Sequence, residues 1–255
     1  LKCDDFFEHT LIHTGQNYDF ELNQIFFDDL KIRKPDFFLD TKSQNLGESI
    51  GNIISKSYEI LKKVEPDALL ILGDTNSCLS SISAKRLKIP IFHMEAGNRC
   101  FDQNVPEEIN RKIVDHISDI NLPYTENAKK YLLSEGIRKD FIFKSGSPMK
   151  EIFNFYNNEI NKSKILSKLK LKQNEYIVVS IHREENVDNK SNFESILEAL
   201  DQVQINYKKN IIFSTHPRTR KKIQDVTKQI NQKITFIKPL GFFDYIFLQK
   251  NSFVT

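Results

Sequence analysis

Four short apolar runs of this chain each end in side chains that could move protons or hold anions. Residues 67–72 lead into Gly73-Asp74-Thr75-Asn76-Ser77, and residues 90–94 into Glu95-Ala96-Gly97-Asn98-Arg99. Residues 176–181 lead into His182-Arg183-Glu184-Glu185-Asn186, and residues 210–214 into Thr215-His216-Pro217-Arg218. Ligands of open α/β sheets bind at the carboxyl ends of the strands, so these groups are expected on one rim. A carboxyl group placed directly after Ile91-Phe92-His93-Met94 is partly desolvated. That raises its pKa and suits Glu95 to proton transfer. His182-Arg183 suits a pyrophosphate: Arg offers a two-pronged donor, and His gives a hydrogen bond or a proton. Pro106-Glu107-Glu108-Ile109-Asn110-Arg111 opens a helix with proline, with Glu107 and Arg111 at i and i+4. If the first turn faces the rim, the helix dipole favours an anion there.

Each cluster also has a purely structural account. Asp74 is well placed to cap a following helix. Glu95 and Arg99 suit a buried pair, and Glu107–Arg111 suits a solvated salt bridge worth little. His182-Arg183 also fits a helix-cap region with a surface Arg. His93 lies inside a strand, where a core histidine satisfied by its neighbours is expected and no further role is assigned. Tyr245, in Gly241-Phe242-Phe243-Asp244-Tyr245, suits stacking on a base or packing in the core. The basic run from Arg218 to Lys222 reads as a solvated helix start.

The elements that must position these groups alternate along the chain. Strands are predicted near 9–13, 36–39, 67–72, 90–94, 119–122, 141–144, 176–181, 210–214, 234–237 and 252–255. Helices are predicted near 21–30, 46–63, 76–87, 106–117, 125–135, 148–159, 190–206, 217–229 and 241–249. Leu46, Ile50, Ile53, Ile54, Tyr58 and Leu61 recur at helical spacing, and 67–72 is apolar on both faces, as a buried parallel strand should be. Strand–helix alternation predicts an α/β protein with doubly wound parallel sheets. A Lys/Asn/Ser-rich stretch from Asn157 to Lys172 interrupts the series. Two Rossmann-like domains are therefore expected: 1–155 with the acidic residues, and 170–255, incomplete. The chain opens at Leu1 without a Met and stops in an apolar run at Thr255, so a fragment is expected.

Composition narrows the classes. The 255 residues, about 1.7 times a ~150-residue domain, allow one large domain or two smaller ones. With 28% charged and 39% hydrophobic residues, the chain suits a soluble globular protein and not a disordered one. No apolar run approaches the ~20 residues of a membrane span. A net charge of +3 gives no case for nucleic-acid binding. Cys3, Cys78 and Cys100 lack CxxC spacing and read as reduced cytoplasmic thiols, with no metal site. The absence of a Gly-rich dinucleotide fingerprint or a Walker loop disfavours a dehydrogenase or an NTPase.

Taken together, Gly73-Asp74-Thr75, His93-Met94-Glu95-Ala96-Gly97-Asn98-Arg99, Pro106-Glu107-Glu108-Ile109-Asn110-Arg111 and His182-Arg183-Glu184-Glu185-Asn186 form a specific set. In this order the chain resembles the non-hydrolysing UDP-N-acetylglucosamine 2-epimerases over essentially its whole length. Met94, Asn98, Cys100 and Ser180-Ile181-His182-Arg183-Glu184-Glu185 look most like the capsule and O-antigen branch. Members of that branch epimerise a UDP-2-acetamido-2,6-dideoxy-L-hexose on the route to UDP-N-acetyl-L-fucosamine. The resemblance implies a two-Rossmann-domain fold like that of certain glycosyltransferases, with the nucleotide in the cleft. It implies catalytic roles for Asp74, Glu95, Glu107, Arg111 and His182. It implies contacts to UDP or the sugar from Gln16, Arg183 and Tyr245, and His216 joins them as a strand-end residue of the second domain. No cofactor is implied; the partners expected are a UDP-sugar and a second copy in a homodimer.

The family reaction eliminates UDP to a glycal unsaturated between carbons 1 and 2, then adds UDP back with carbon 2 inverted. Several carboxylates around one pocket suit proton transfer at both faces of carbon 2. Arg and His stabilise the charge gathered by departing UDP. Two segments of the family pattern, Gly-Thr-Arg-Pro-Glu before Leu1 and Asp-Ser-Gly-Gly after Thr255, fall outside the sequence. A polypeptide lacking them is expected to bind UDP weakly and turn over little. The alternatives are a glycosyltransferase of similar architecture, an inactive remnant, and a hydrolysing relative.

Overall fold

The computed structural model describes residues 2–15, 24–41, 43–181, 189–215 and 233–255. Among the described residues, every strand pairing is parallel. The strands are β1 (Ile12–His13), β2 (Phe37–Phe38), β3 (Leu69–Leu72), β4 (Ile91–Met94), β5 (Ile120–Leu122), β6 (Tyr176–Ser180), β7 (Asn210–Ser214) and β8 (Ile234–Ile237). The helices are α1 (Lys2–Phe6), α2 (Gln24–Leu30), α3 (Leu46–Val64), α4 (Ser80–Arg86), α5 (Pro106–Ile117), α6 (Glu126–Ser134), α7 (Met149–Phe155), α8 (Asn157–Asn161), α9 (Ile165–Lys168), α10 (Lys190–Tyr207) and α11 (Phe242–Lys250). The chain is α/β, as its alternation predicts. Among the described residues, no helix is long and apolar enough to cross a membrane.

The chain divides into two compact units, Leu1–Asn17 with Lys34–Glu151, and Tyr18–Arg33 with Ile152–Thr255. The change of unit between Glu151 and Ile152 precedes the Lys/Asn/Ser-rich stretch, which begins at Asn157. The division is not contiguous, however: α2 packs with α11 in the second unit, although it precedes most of the first in sequence.

In the first unit β1 pairs with β2, and β3–β4–β5 form a separate sheet. Helix α3 starts where the Asn45 side chain accepts the Glu48 amide hydrogen at 2.9 Å, and stops at Glu65 in left-handed conformation (φ 48°). Its Ile50 and Ile54 pack on Ile71, Cys78, Leu79 and Val114, while Leu61 packs on Ala84, Ile89 and Ile91. Strand β3 departs from expectation. Ile71 is buried, but Leu70 and Leu72 are 52% and 59% exposed. The cause is the interruption of the sheet. A groove of about 240 Å³ separates β1 from β3, lined by Leu11, Ile12, Leu39, Leu70 and Leu72 among others. Neither sheet edge along it is paired in a ladder.

The second unit carries the order β6–β7–β8. Alternate residues of its strands bury opposite faces. Tyr176, Val178 and Ile212 meet Ile165 of α9 and Leu248 of α11. Ile177, Ile211, Phe213 and Ile234 meet Leu200 and Val203 of α10. Helices therefore cover both faces of this sheet.

Three predicted elements differ. The 141–144 strand is a 3-10 turn, Lys139–Phe141, followed by one bridge from Asn121 to Ile142. The 252–255 strand is reduced to a bridge between Ile177 and Val254. The 148–159 helix breaks at Tyr156, whose hydroxyl donates to the Leu30 carbonyl at 2.6 Å. The predicted 217–229 helix lies outside the described residues.

Replacing Phe213, fully buried in β7, by Ala should lower stability by about 3–5 kcal/mol. Urea unfolding of the two proteins side by side measures this; a difference under about 1 kcal/mol would contradict the packing described.

Candidate active site

At the end of β3, Gly73 adopts φ 78° and donates its amide hydrogen to the Met94 carbonyl at 3.1 Å. This left-handed turn, which glycine adopts without strain, lifts Asp74 above the sheet. Asp74 does not cap the next helical turn, which begins at Thr75 without a side-chain cap. Its Oδ2 instead accepts from Arg111 Nε at 3.0 Å and from a second guanidinium nitrogen at 2.7 Å. Asn110 Nδ2 donates to the Asp74 backbone carbonyl and to Asn76 Oδ1, both at 3.0 Å. Successive residues of α5 thus hold the turn by its side chain and its backbone.

Glu95 follows β4 in left-handed conformation (φ 66°), and its amide donates to the Leu122 carbonyl at 3.1 Å. Burial, and then the nearby charge of Asp74, push its carboxyl group above the ordinary carboxylate range; Arg111 and His93 partly offset them. The desolvation expected for Glu95 from its place after β4 is therefore present, with Asp74 adding to it. Asn98 Nδ2 donates to Glu95 Oε1 at 3.3 Å. Burial and then Glu95 raise the Tyr124 hydroxyl, which places that phenol in the same field. Arg99 does not pair with Glu95. Its guanidinium spans Asp115 at 2.7 Å and Glu135 at 2.6 Å.

The helix α5 presents its first turn differently from expectation. Glu107 is exposed there, and Arg111 does not bond it. The i, i+3 partner, Glu108, takes that place: Arg111 reaches Glu108 Oε2 at 2.8 Å as well as Asp74. Glu108 is fully buried and also accepts the amide hydrogens of Cys100 at 3.0 Å and Phe101 at 3.3 Å. Burial opposes ionisation, but these donors and Arg111 prevail and hold the carboxyl group at about 2. Glu108 is the structural half of the Glu-Glu pair and anchors the loop after Glu95.

The structure thus brings Asp74, Glu95 and Arg111 together. Glu107 stands one turn before Arg111 on the same helix. Tyr245, in the second unit, is half-buried and packs on the cluster of Tyr176, Val178 and Leu248, the core alternative for that residue. Gln16, His182, Arg183 and His216 lie outside the described residues. Asn98, Asn110, Glu108 and Tyr124 complete the surroundings and are absent from the sequence-based set. Asn98, Glu108 and Asn110 lay within the motifs quoted from the sequence, the last two within one helical turn of Arg111, and Tyr124 carried no signal.

The Glu108 arrangement fixes a pH dependence. A carboxyl group whose folded pKa lies below its unfolded value stabilises the fold above the unfolded value and loses that contribution as pH falls through the folded one. Thermal stability should therefore drop between the ordinary 4.5 and about 2. Glu108→Gln should be less stable at neutral pH and show a shallower drop over that window. Melting curves across the range test this, and parallel pH profiles would contradict it.

Comparison with known proteins identifies the setting of this geometry. The sequence matches the family profile "UDP-N-acetylglucosamine 2-epimerase" over residues 1–255. A UDP-N-acetylglucosamine 2-epimerase homolog of Methanococcus maripaludis is 40% identical over 253 residues, covering 96% of this chain and 70% of that protein. The UDP-2,3-diacetamido-2,3-dideoxy-D-glucuronate 2-epimerase of Pseudomonas aeruginosa is 34% identical, over 95% of this chain and 67% of that one. The solved UDP-N-acetylglucosamine 2-epimerase of Rickettsia bellii is 52% identical with a TM-score of 0.91, covering 99% of this chain and 67% of that one. The Methanocaldococcus jannaschii enzyme, solved with UDP-GlcNAc and UDP, superposes with a TM-score of 0.89 at 34% identity, over 98% of this chain and 71% of that one. Two acidic strand ends and an arginine on one helix therefore stand in a known lineage: this chain belongs to the UDP-N-acetylglucosamine 2-epimerase family, isomerases acting on carbohydrate.

Proposed function

We propose that the protein inverts carbon 2 of a UDP-2-acetamido sugar by eliminating UDP and adding it back. The observation that carries this reading is the coupling of Glu95 to Asp74: two acids at neighbouring strand ends, one with its carboxyl group raised and the other gripped by Arg111. In the forward step a carboxylate takes the carbon 2 proton while the bond from carbon 1 to the UDP oxygen breaks. The products are a 1,2-unsaturated glycal and UDP. In the return step UDP re-forms the carbon 1 bond, and a protonated acid delivers a proton to the other face of carbon 2. A raised carboxyl group is suited to both halves, because its protonated and ionised forms are closer in energy near neutral pH. Asp74 and Glu95 are the groups we assign to proton transfer. Arg111 orients Asp74, and Glu107 is a further acid at the mouth of α5. His182 is assigned a catalytic part in the departure of UDP, and Arg183, His216 and Gln16 are assigned to binding UDP and the sugar; Tyr245, packed on the core cluster, is not.

Met94, Asn98 and Cys100 support a finer assignment, to a 2-acetamido-2,6-dideoxy-L-hexose and the product UDP-N-acetyl-L-fucosamine, a precursor of bacterial surface polysaccharide. The relative named for a diacetamido uronate supports breadth in the sugar these proteins accept. We further assign the protein to the cytoplasm, where nucleotide sugars are made, as a homodimer.

Incubation with UDP-2-acetamido sugar in deuterated water tests the proposal. Deuterium at carbon 2 is required, and its absence with intact protein would remove the epimerase reading. Glu95→Gln should reduce exchange at least about 100-fold, with UDP affinity by calorimetry within about twofold. Retained exchange would take Glu95 out of the reaction. His182→Asn should slow UDP departure; an unchanged rate would leave it a structural role.

A further inference from the structure

Behind the two acids lies a group that the reaction scheme leaves unused. Asp115, near the end of α5, is 1% exposed, and His93 of β4 is fully buried. Asp115 Oδ1 lies 2.8 Å from His93 Nδ1. Both Asp115 oxygens accept the Gly97 amide hydrogen, at 3.2 and 3.1 Å, and Oδ2 accepts from Arg99 at 2.7 Å. His93 Nε2 lies 3.0 Å from the carbonyl oxygen of Gly73. A carbonyl only accepts, and the carboxylate is committed to accepting by Arg99 and Gly97, so in these contacts the ring is the donor, from Nδ1, from Nε2 or from both. Asn121 Nδ2, next to His93 in the sheet register, donates to the Asp115 carbonyl at 3.0 Å and holds the end of α5 in place.

The two backbone groups gripped here are the ones that aim the acids. Gly73 is the residue before Asp74, and Gly97 lies two residues after Glu95. Gly97 has φ 79°, and a Cβ there would collide with the Ala128 carbonyl and Leu132, so the turn has one arrangement. We propose that Asp115 is a positioning residue for both acids: directly through the Gly97 amide for Glu95, and through His93 and the Gly73 carbonyl for Asp74. One side chain on α5, one turn beyond Arg111, thereby sets the two strand ends relative to each other and to the arginine. The role given to the acids rests on the reading above; the positioning itself rests on the bonds just described.

Asp115→Asn keeps the shape and loses one acceptor, so its amide cannot serve Arg99, Gly97 and His93 together. Full-length protein with this change should lose about tenfold or more in kcat for carbon 2 exchange, because misplacement of reacting groups acts on the rate of chemistry. KM should stay within about twofold. Two histidine variants separate positioning from stability. His93→Gln can still donate to the Gly73 carbonyl; His93→Asn can reach Asp115 but not Gly73. We expect the Gln variant to exchange at least about fivefold faster than the Asn variant at similar melting temperature. Equal kcat for these two, or a folded Asp115→Asn with kcat within twofold of wild type, overturns the proposal. If Asp115→Asn does not fold, the histidine pair decides. If wild type shows no exchange, the epimerase reading fails and hydrogen exchange at the Gly97 amide decides the positioning. Exchange at least about tenfold faster in Asp115→Asn, or in His93→Asn where that variant alone folds, supports it; unchanged protection overturns it.

Discussion

Helix α5 docks on its sheet through buried charge. Glu108, Arg111 and Asp115 line its inner side at spacings of three and four residues, beside the apolar Val114. Removing charges from water is costly, and the attraction between them offsets that only where the remaining donors and acceptors are filled. Here they are: Glu108 by Arg111 and two backbone amides, Asp115 by Arg99, Gly97 and His93. Apolar side chains of equal volume would hold the helix as tightly, but they would tolerate a small rotation or slide. A ladder of directional bonds does not, and the position of Asp74 and the loop after Glu95 follows from it.

The same ladder shapes the electrostatics above it. Arg111 is bonded to a buried carboxylate and to Asp74, and the opposite charge of Asp74 outweighs its pull on Glu95. Burial and Asp74 then prevail, and Glu95 rises. Cys78 responds to the same surroundings: burial, and then Asp74 and Asp115, push its thiol up to about 12, which leaves it an inert core group. A single arrangement of charge thus keeps one acid protonatable and one thiol silent.

Much of the site was legible in the sequence because strand ends are. The runs before Asp74 and Glu95 end in abrupt changes from apolar to polar residues, and the topology of parallel sheets turns such a change into a location. The proline of α5 marked its start equally well. His93 is the core histidine satisfied by its neighbours that its place in a strand predicts, whereas Glu108 and Asp115 were hidden because patterning places charged residues on the solvent side of a helix. The choice between Glu107 and Glu108 shows the limit: adjacent residues on a helix point about 100° apart, and spacing alone favoured the exposed one. The exposure of Leu70 and Leu72 was hidden for another reason. A strand apolar on both faces does not disclose whether both are covered. Tyr245 shows the reverse case, an aromatic that suited either a base or the core and packs in the core.

Glu95 is one of nine non-glycine residues held at positive φ among the described residues, a conformation that costs a side-chain-bearing residue on the order of 1 kcal/mol. Glycine or asparagine would sit there more comfortably. If Glu95 moves protons as proposed, stability and activity pull in opposite directions at this one codon: selection for thermal robustness alone would drift toward the relaxed residue and erase the acid assigned to the sugar.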